Sequence, residues 1–151
     1  MKKLSFFLLF LSFSFLSTAV AQERGFGLGV IIGEPTGFSA KYWTSSSTAL
    51  DFGLGYSFTS TKSVFYLHGD YIFHNSALIE STEKFIVYYG PGARLKVREN
   101  DSRLGIRVVG GILWVPYNSR IDLFVELAPI IDVIPATKLD LAGGIGIRFF
   151  F

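Results

Sequence analysis

The sequence predicts an all-β fold, namely an eight-stranded antiparallel up-and-down transmembrane β-barrel whose lumen is filled by small and charged side chains. Three observations predict it. Apolar residues alternate with small or charged ones along eight successive segments. After an N-terminal export signal, no apolar run is long enough for a membrane helix. The apolar face of the eight segments is also too bulky for the interior of a small barrel.

The first 21 residues have the composition of a cleaved secretory signal. Lys2 and Lys3 form a basic start, an apolar run follows over residues 4–16, and Ala19-Val20-Ala21 is a small-residue cleavage site. We therefore divide the chain into a signal peptide, residues 1–21, and one barrel domain, residues 22–151. The sequence contains no cysteine, which excludes a lipoprotein anchor and disulfide bonds.

The charge of the mature chain excludes one large class of partners. Removal of Lys2 and Lys3 leaves twelve basic and twelve acidic residues, so the mature domain is formally neutral. Nucleic-acid binding needs a clustered basic surface, and the sequence shows none. We expect no nucleic-acid partner.

The eight alternating segments are joined by short connections. Strands are predicted at about 25–33, 37–43, 49–58, 64–73, 85–98, 103–114, 121–130 and 139–151. Pro91 lies inside the fifth segment, which predicts a bulge or a local break there. Residues 129–138 hold two prolines and are predicted to be irregular, and 99–102 is predicted to be a turn. The longest connection is predicted over residues 74–84.

The last segment has the clearest membrane signature. Every second residue from Leu139 is apolar except Gly143, and the chain stops on Phe151. A terminal aromatic on such a strand resembles the C-terminal signal by which bacterial outer-membrane barrels are recognised for insertion. We therefore assign Ile147, Phe149 and Phe151 to an assembly signal.

Side-chain volume decides which face of the barrel points inward. A soluble eight-stranded barrel would enclose its apolar face, but an interior of this size cannot hold so many Phe, Leu, Ile and Val side chains. The bulky face therefore points to lipid, and the charged face lines the lumen. The predicted lumen residues are Lys41, Asp51, His68, Asp70, Arg94, Lys96, Arg107, Asp122, Glu126, Asp140 and Arg148. Buried charges require partners, so we predict a network of ion pairs, including Arg107 with Glu126, and no open pore.

Aromatic residues near the segment ends predict an interfacial girdle. Its predicted members are Tyr42, Trp43, Tyr56, Phe73, Phe85, Tyr88, Tyr89 and Trp114.

Two motifs carry a family resemblance. The first runs from Gly27 through Gly33-Glu34-Pro35-Thr36-Gly37 to Lys41-Tyr42-Trp43, and the second is the closing stretch of residues 143–151. Together they resemble a family of small bacterial outer-membrane β-barrel proteins of the OmpA/OmpX type. The resemblance covers essentially the whole mature chain. It implies an outer-membrane location and this fold, and it brings no catalytic residues.

Other chemistry is less favoured by the residues. His68 and Asp70 lie on one face with Ser57 on the neighbouring strand, which leaves a lipid A-modifying hydrolase as an alternative, but a structural polar network is preferred. With two His and no Cys, the sequence offers no strong metal site. The Gly-rich runs lack a following helix, so no dinucleotide site and no cofactor are predicted.

The function predicted from the sequence is that of an integral outer-membrane barrel with a structural or interaction role. A lipid A-modifying enzyme and a small channel remain alternatives, and a soluble periplasmic ligand-binding barrel is disfavoured by volume. The expected partners are outer-membrane lipid and, during biogenesis, the barrel-assembly machinery and periplasmic chaperones. We expect a monomer with both termini in the periplasm. Three of the four connections on the opposite side are short, which argues against an adhesin.

Overall fold

The computed structural model describes residues 25–56 and 63–151, and these form one closed β-barrel. The strands are β1 (Phe26–Glu34), β2 (Thr36–Trp43), β3 (Thr48–Tyr56), β4 (Val64–Asn75), β5 (Lys84–Arg98), β6 (Asp101–Val115), β7 (Ile121–Ile134) and β8 (Lys138–Phe150). Each strand pairs antiparallel with the next, and β8 closes the cylinder against β1. The predicted eight-stranded up-and-down fold is confirmed. The predicted signal peptide, residues 1–21, lies outside the described residues.

The register of the strands sets the shape of the cylinder. A path from each residue to its paired residue on the next strand leads once around the barrel, from Arg148 in β8 back to Lys138 in the same strand. The residues on this path are Arg148, Gly29, Ser39, Gly53, His68, Arg94, Gly105, Asp132 and Lys138. One circuit therefore displaces the register by ten residues. With eight strands, such a stagger corresponds to a strand tilt of about 40°, within the usual range for closed barrels.

The barrel has two distinguishable ends. Phe26 and Phe150 lie at one end, which we call the terminal end, and the amide of Phe151 donates to the carbonyl of Phe26 there. The connections at Pro35, 99–100 and 135–137 lie at the other end, which we call the hairpin end.

Strand β7 is longer than predicted. The sequence reading ended it at Ile130, but it continues through Pro129 to Ile134. Pro129 points outward and pairs with Leu141 of β8, whereas its ladder with β6 skips the two positions between Arg107 and Gly110. The missing N–H of the proline therefore leaves a short gap in the pairing of β7 with β6, but it does not end the strand.

Pro91 causes a local break without a bulge. The pairing of β5 with β6 is continuous across it, and the register with β4 is unchanged on both sides. The β4 ladder skips the two positions between Asp70 and Phe73 that lie opposite this proline. A register shift does occur elsewhere, between Leu104 and Gly105 against β7.

Two predicted connections are shorter in the structure. Asp101 and Ser102, predicted to be part of a turn, belong to β6, so only Glu99 and Asn100 connect it to β5. The predicted connection 74–84 shrinks to residues 76–83, because β4 extends to Asn75 and β5 begins at Lys84.

The tight turn after β1 depends on a glycine and a threonine. Gly33 has φ of 153°, and a Cβ there would meet the carbonyl oxygen of Gly143. The Thr36 hydroxyl donates to the Gly33 carbonyl at 3.0 Å and accepts from its amide at 3.1 Å. The sequence Gly33-Glu34-Pro35-Thr36 therefore specifies this hairpin locally.

The two faces of the barrel differ as the volume argument predicts. Phe, Leu, Ile, Val and Tyr side chains on all eight strands point outward and are exposed, with Leu127 at 60% as an example. The prediction that Trp43 and Tyr88 belong to the interfacial girdle is wrong, because both side chains are buried in the lumen. Among residues 25–56 and 63–151, no helix is both long and apolar enough to cross a membrane.

Bulky lumen side chains are accommodated by glycines on neighbouring strands. A Cβ on Gly53 would collide with the ring of His68. The rings of Tyr88 and Phe124 likewise occupy the space where a Cβ of Gly111 and of Gly146 would lie. The inward glycines thus provide the space that aromatic rings fill, which gives a packed interior.

Candidate functional site

The predicted lumen residues do line the lumen. Lys41, Asp51, His68, Asp70, Arg94, Arg107, Asp122, Glu126 and Arg148 are buried, whereas Asp140 and Lys96 are partly exposed nearer the hairpin end. Each lies at an inward position of its strand because charged and small residues alternate with apolar ones. The structure therefore brings residues from seven strands, β2 to β8, into one column of polar groups, which divides into three clusters.

The Arg148 cluster lies nearest the terminal end. The guanidinium donates from Nη1 to Asp51 Oδ2 at 2.6 Å and from Nε to Asp122 Oδ1 at 3.0 Å. It also reaches the Ser39 hydroxyl at 3.4 Å and lies 3.9 Å from the ring centroid of Phe124. Arg148 is fully buried, so its charge depends on these contacts.

Lys41 is a second fully buried cation beside this cluster. Its Nζ lies 4.7 Å from the ring centroid of Trp43 and 5.3 Å from that of Tyr88, which are cation–π distances. Its neighbour across the β2–β3 ladder is Asp51. Lys41 and Arg148 together therefore balance Asp51 and Asp122 in charge.

The Arg107 cluster occupies the middle of the lumen. Arg107 Nε lies 3.1 Å from Asp70 Oδ1, and its Nη2 lies 3.4 Å from Glu126 Oε1. The predicted Arg107–Glu126 pair is confirmed. The Tyr88 hydroxyl donates to the other oxygen of Glu126 at 2.9 Å, and His68 Nδ1 lies 3.1 Å from Asp70 Oδ2.

The Arg94 cluster lies toward the hairpin end. Arg94 donates from Nη1 to Asp140 Oδ2 at 2.7 Å and from Nη2 to Asp132. Lys96 Nζ lies 3.6 Å from Asp140, whose side chain is 34% exposed. The Tyr66 ring lies under the Arg94 guanidinium at 5.5 Å. The side chains of this cluster therefore become more exposed toward the hairpin end of the barrel.

Sequence reasoning missed three parts of this network. Asp132 is missing from the predicted lumen residues because the predicted seventh strand ends at Ile130. Its alternation with Ile131 and Val133 nevertheless continues the strand pattern. Tyr88 was assigned to the girdle, yet its position between Val87 and Tyr89 gives it the inward parity. Asp101 was missed because the predicted turn covered it, and Arg103, which pairs with it at 2.9 Å, was not among the predicted lumen residues.

The sequence raised one group of residues with the composition of a hydrolase site, namely Ser57, His68 and Asp70. His68 and Asp70 contact each other as a hydrolase would require, but both are buried in the lumen, and Ser57 lies outside the described residues. In the part of the chain that the structure describes, no hydroxyl is hydrogen-bonded to His68. Nor does that part contain a group of three or more His, Asp and Glu side chains placed to hold a metal ion.

The predicted assembly signal lies at the seam of the barrel. Ile147 and Phe149 point outward from β8, and Phe149 packs edge-on against Phe151 with ring centroids 5.3 Å apart. Leu28 and Val30 of β1 are their cross-strand neighbours. These residues are exposed on the outer surface, and their role in assembly stays a prediction.

Comparisons with known proteins support the architecture. The chain is similar in fold to the N-terminal β-barrel domain of Pseudomonas aeruginosa OprF, with a TM-score of 0.61 and 12% sequence identity over 85% of this chain and 98% of that one. No protein-family model and no curated protein sequence matches the chain. The likeness therefore shows the fold alone, that of a β-barrel domain.

Proposed function

We propose that this protein is an integral barrel of the bacterial outer membrane, with a structural or interaction role and a lumen closed by ion pairs. One observation carries the proposal. Between the strand ends, the outward positions of the eight strands hold no charged side chain, whereas the inward positions hold the buried, paired charges. This is the reverse of a water-soluble barrel and the arrangement that lipid requires.

The extent of the outward apolar surface supports a lipid environment. Soluble monomers rarely expose contiguous apolar patches larger than a few hundred Å². Here exposed Phe, Leu, Ile and Val side chains encircle the cylinder without interruption, from Phe26 and Leu28 on β1 to Ile147 and Phe149 on β8. Lipid hydrocarbon can cover such a closed belt on all sides. Because the barrel is closed, no free strand edge remains where β8 pairs with β1, so another sheet cannot pair there.

The likeness in fold to the OprF β-barrel domain and the predicted N-terminal export signal support the outer membrane in particular. Its partners in this proposal are outer-membrane lipid and, during biogenesis, the barrel-assembly machinery and periplasmic chaperones. We take the protein to be a monomer without a cofactor.

A closed lumen and the absence of enzymatic activity belong to the same proposal. Arg148, Arg107 and Arg94 each cross-link two carboxylates, so every level of the lumen is occupied by paired side chains. The one His–Asp contact of the described residues, His68 with Asp70, is explained by this network, because Asp70 also faces Arg107.

Reconstitution into lipid vesicles tests the proposal. The refolded protein is expected to migrate faster on gels before boiling than after it, and planar-bilayer recordings are expected to show no steady conductance. Stable current steps from the purified barrel would favour the channel alternative. Altered lipid A upon overexpression that is lost with His68→Ala would favour the enzyme alternative.

A further inference from the structure

The wall of the barrel is uneven at the hairpin end. Glu34, the last residue of β1, pairs with Gly143 of β8, whereas β8 extends beyond this pair to Lys138. Residues 138–142 of β8 therefore pair with β7 on one side and with no described strand on the other. We call the resulting gap the notch. Its floor is the turn between β1 and β2, and one of its sides is the edge of β8 over residues 138–142.

The apolar outer surface is short directly below the notch. On β1 the outward apolar positions run from Phe26 to Ile32. At a rise of about 3.3 Å per residue and a tilt of about 40°, this run covers about 15 Å along the barrel axis. The corresponding run on β5, from Phe85 to Val97, covers about 30 Å. Membrane barrels carry an apolar band of about 25 Å, so lipid beside β1 is expected to hold its headgroup lower, level with the notch.

Apolar side chains beside the notch are unusually exposed. Leu141 of β8 is 60% exposed, whereas Leu95 of β5, which lies at a similar height, is 37% exposed. Leu139 is 76% exposed because it also lacks a neighbour on the β1 side, and Ile32 on β1 is 72% exposed. These side chains form an apolar surface on which an acyl chain can lie.

The inner wall that faces the notch carries an excess of positive charge. From the level of Arg94 to the hairpin end, the inward strand positions hold five cations and three carboxylates. They are Arg94, Lys96, Arg98, Arg103 and Lys138, and Asp101, Asp132 and Asp140. Glu99, in the exposed turn between β5 and β6, leaves the balance positive. The connection 57–62, which lies outside the described residues, contains no acidic residue.

Two of these cations, Arg98 and Lys138, are not used by the ion-pair clusters. The three carboxylates are held by Arg94, Lys96 and Arg103. Arg98 and Lys138 form no ion pair with any other residue in the described part of the chain. Their charges are therefore directed into the mouth of the barrel without a protein counter-charge, and an anionic group there would be stabilised.

An added β-strand suits the notch less well than a lipid does. The Leu141 amide, on the open side of β8, already donates to Asp140 Oδ1 at 2.9 Å. The other oxygen of Asp140 accepts from Arg94 at 2.7 Å, which fixes the carboxylate in this position. A strand that paired here would have to displace the Asp140 contact. An anionic amphiphile needs no such change.

We propose that the notch docks a phosphorylated lipid of the outer leaflet. Its acyl chains lie against Ile32, Leu139 and Leu141, and its phosphate groups cross the turn between β1 and β2 toward Arg98 and Lys138. A guanidinium group can bind two oxygens of one phosphate, and an ammonium group adds a point charge. This site rests on the outer-membrane location proposed above, with the hairpin end facing outward.

Native mass spectrometry of the full barrel, refolded in detergent, tests the docking site. The probe is diphosphoryl lipid A, and the comparison is lipid A from which both phosphates have been removed. The barrel is expected to retain one molecule of the diphosphoryl form and to bind the dephosphorylated form at least about fivefold more weakly, because only the phosphates contact Arg98 and Lys138.

Four variants locate the lipid. Arg98→Gln is expected to weaken diphosphoryl lipid A about fivefold. Arg120→Gln, at an exposed position of the terminal end, is the matched control and is expected to change nothing. Leu141→Ser is expected to weaken both forms of the lipid, whereas Leu95→Ser, at a similar height on β5, is expected to weaken neither. A heat-modifiable gel band verifies that each variant is folded.

Inorganic phosphate distinguishes a lipid headgroup from a free anion. It is expected to compete with diphosphoryl lipid A only weakly, since it makes no apolar contact. Full displacement by millimolar phosphate together with no effect of Leu141→Ser would overturn the lipid in favour of a free anion. Equal binding of the dephosphorylated lipid, or equal effects of Arg98→Gln and Arg120→Gln, would also overturn the site. In a barrel that is still heat-modifiable and membrane-integrated, these results would leave the proposed outer-membrane role intact.

Discussion

Removal of the Arg148 guanidinium is the sharpest perturbation of the lumen network. Arg148 is fully buried, holds Asp51 at 2.6 Å and Asp122 at 3.0 Å, and covers the Phe124 ring. Arg148→Met keeps much of the apolar stem and deletes the charge. Two buried carboxylates then remain beside Lys41, whose single charge can compensate only one of them.

The size of the effect follows from burial. Breaking a buried ion pair by removal of one partner costs about 3–5 kcal/mol, because the other charge is left without compensation. The unfolding equilibrium constant is expected to rise by roughly two to three and a half powers of ten. Arg103→Met is the control. Arg103 pairs at 2.9 Å with the partly exposed Asp101 at the hairpin end and lies 3.9 Å from Asp132. Its loss is expected to cost about 1 kcal/mol or less, because Asp132 keeps its ion pair with Arg94.

Urea unfolding of the barrel in lipid vesicles, followed by tryptophan fluorescence and by the heat-modifiable gel band, measures both costs. Adding Asp122→Asn to Arg148→Met is expected to recover at least half of the lost stability, since the buried Asp51 then keeps the buried Lys41 as its counter-charge. A cost for Arg148→Met no larger than that for Arg103→Met, or no recovery in the double variant, would refute the uncompensated-charge reasoning.

Four other outcomes are expected. Deletion of Phe151 impairs membrane insertion and leaves export intact, as scored by membrane pelleting against periplasmic accumulation; wild-type assembly of the deletion would remove the assembly signal. Leu127→Arg, at an exposed outward position, costs roughly 2–4 kcal/mol in vesicle unfolding if that position contacts hydrocarbon. Tyr117→Arg, on an exposed connection at the terminal end, changes stability by less than about 0.5 kcal/mol in the same assay. Gly29→Ala lowers the urea midpoint, because the added Cβ meets the backbone of β8, whereas Gly110→Ala, with open space, leaves it unchanged.

The fold was predictable from the sequence because the alternation and the bulk of the apolar face act together. Strands such as β3, with Leu50, Phe52 and Leu54 against Asp51 and Gly53, have only one way to point in a narrow barrel. Eight such segments and short connections leave an up-and-down barrel as the simplest arrangement. The inward parity of the charged residues followed from the same reasoning.

The errors lie where a local signal competes with the tertiary structure. The two prolines of residues 129–138 predicted an irregular segment and a strand that ends at Ile130, yet in the barrel the missing N–H of Pro129 interrupts one ladder while the other ladder holds the strand. That single error removed Asp132 from the predicted network and with it one of the carboxylates of Arg94.

The partners within the lumen were only partly predictable. Arg107 with Glu126 follows from inward parity on adjacent strands, and that pair is confirmed. Arg148 with Asp51 joins strands that are not neighbours, so the contact crosses the lumen and depends on the ten-residue stagger of the closed barrel. Periodicity within one strand carries no information about that stagger.

Membrane fractionation tests most directly whether the apolar outer surface faces lipid. Cells expressing the full chain are lysed, and the membranes are washed with alkaline carbonate and then extracted with detergent. The protein is expected to stay with the outer-membrane fraction through the wash, to enter solution only with detergent, and to give a heat-modifiable band. Recovery as a soluble periplasmic monomer would contradict the proposal that this barrel is an integral membrane protein.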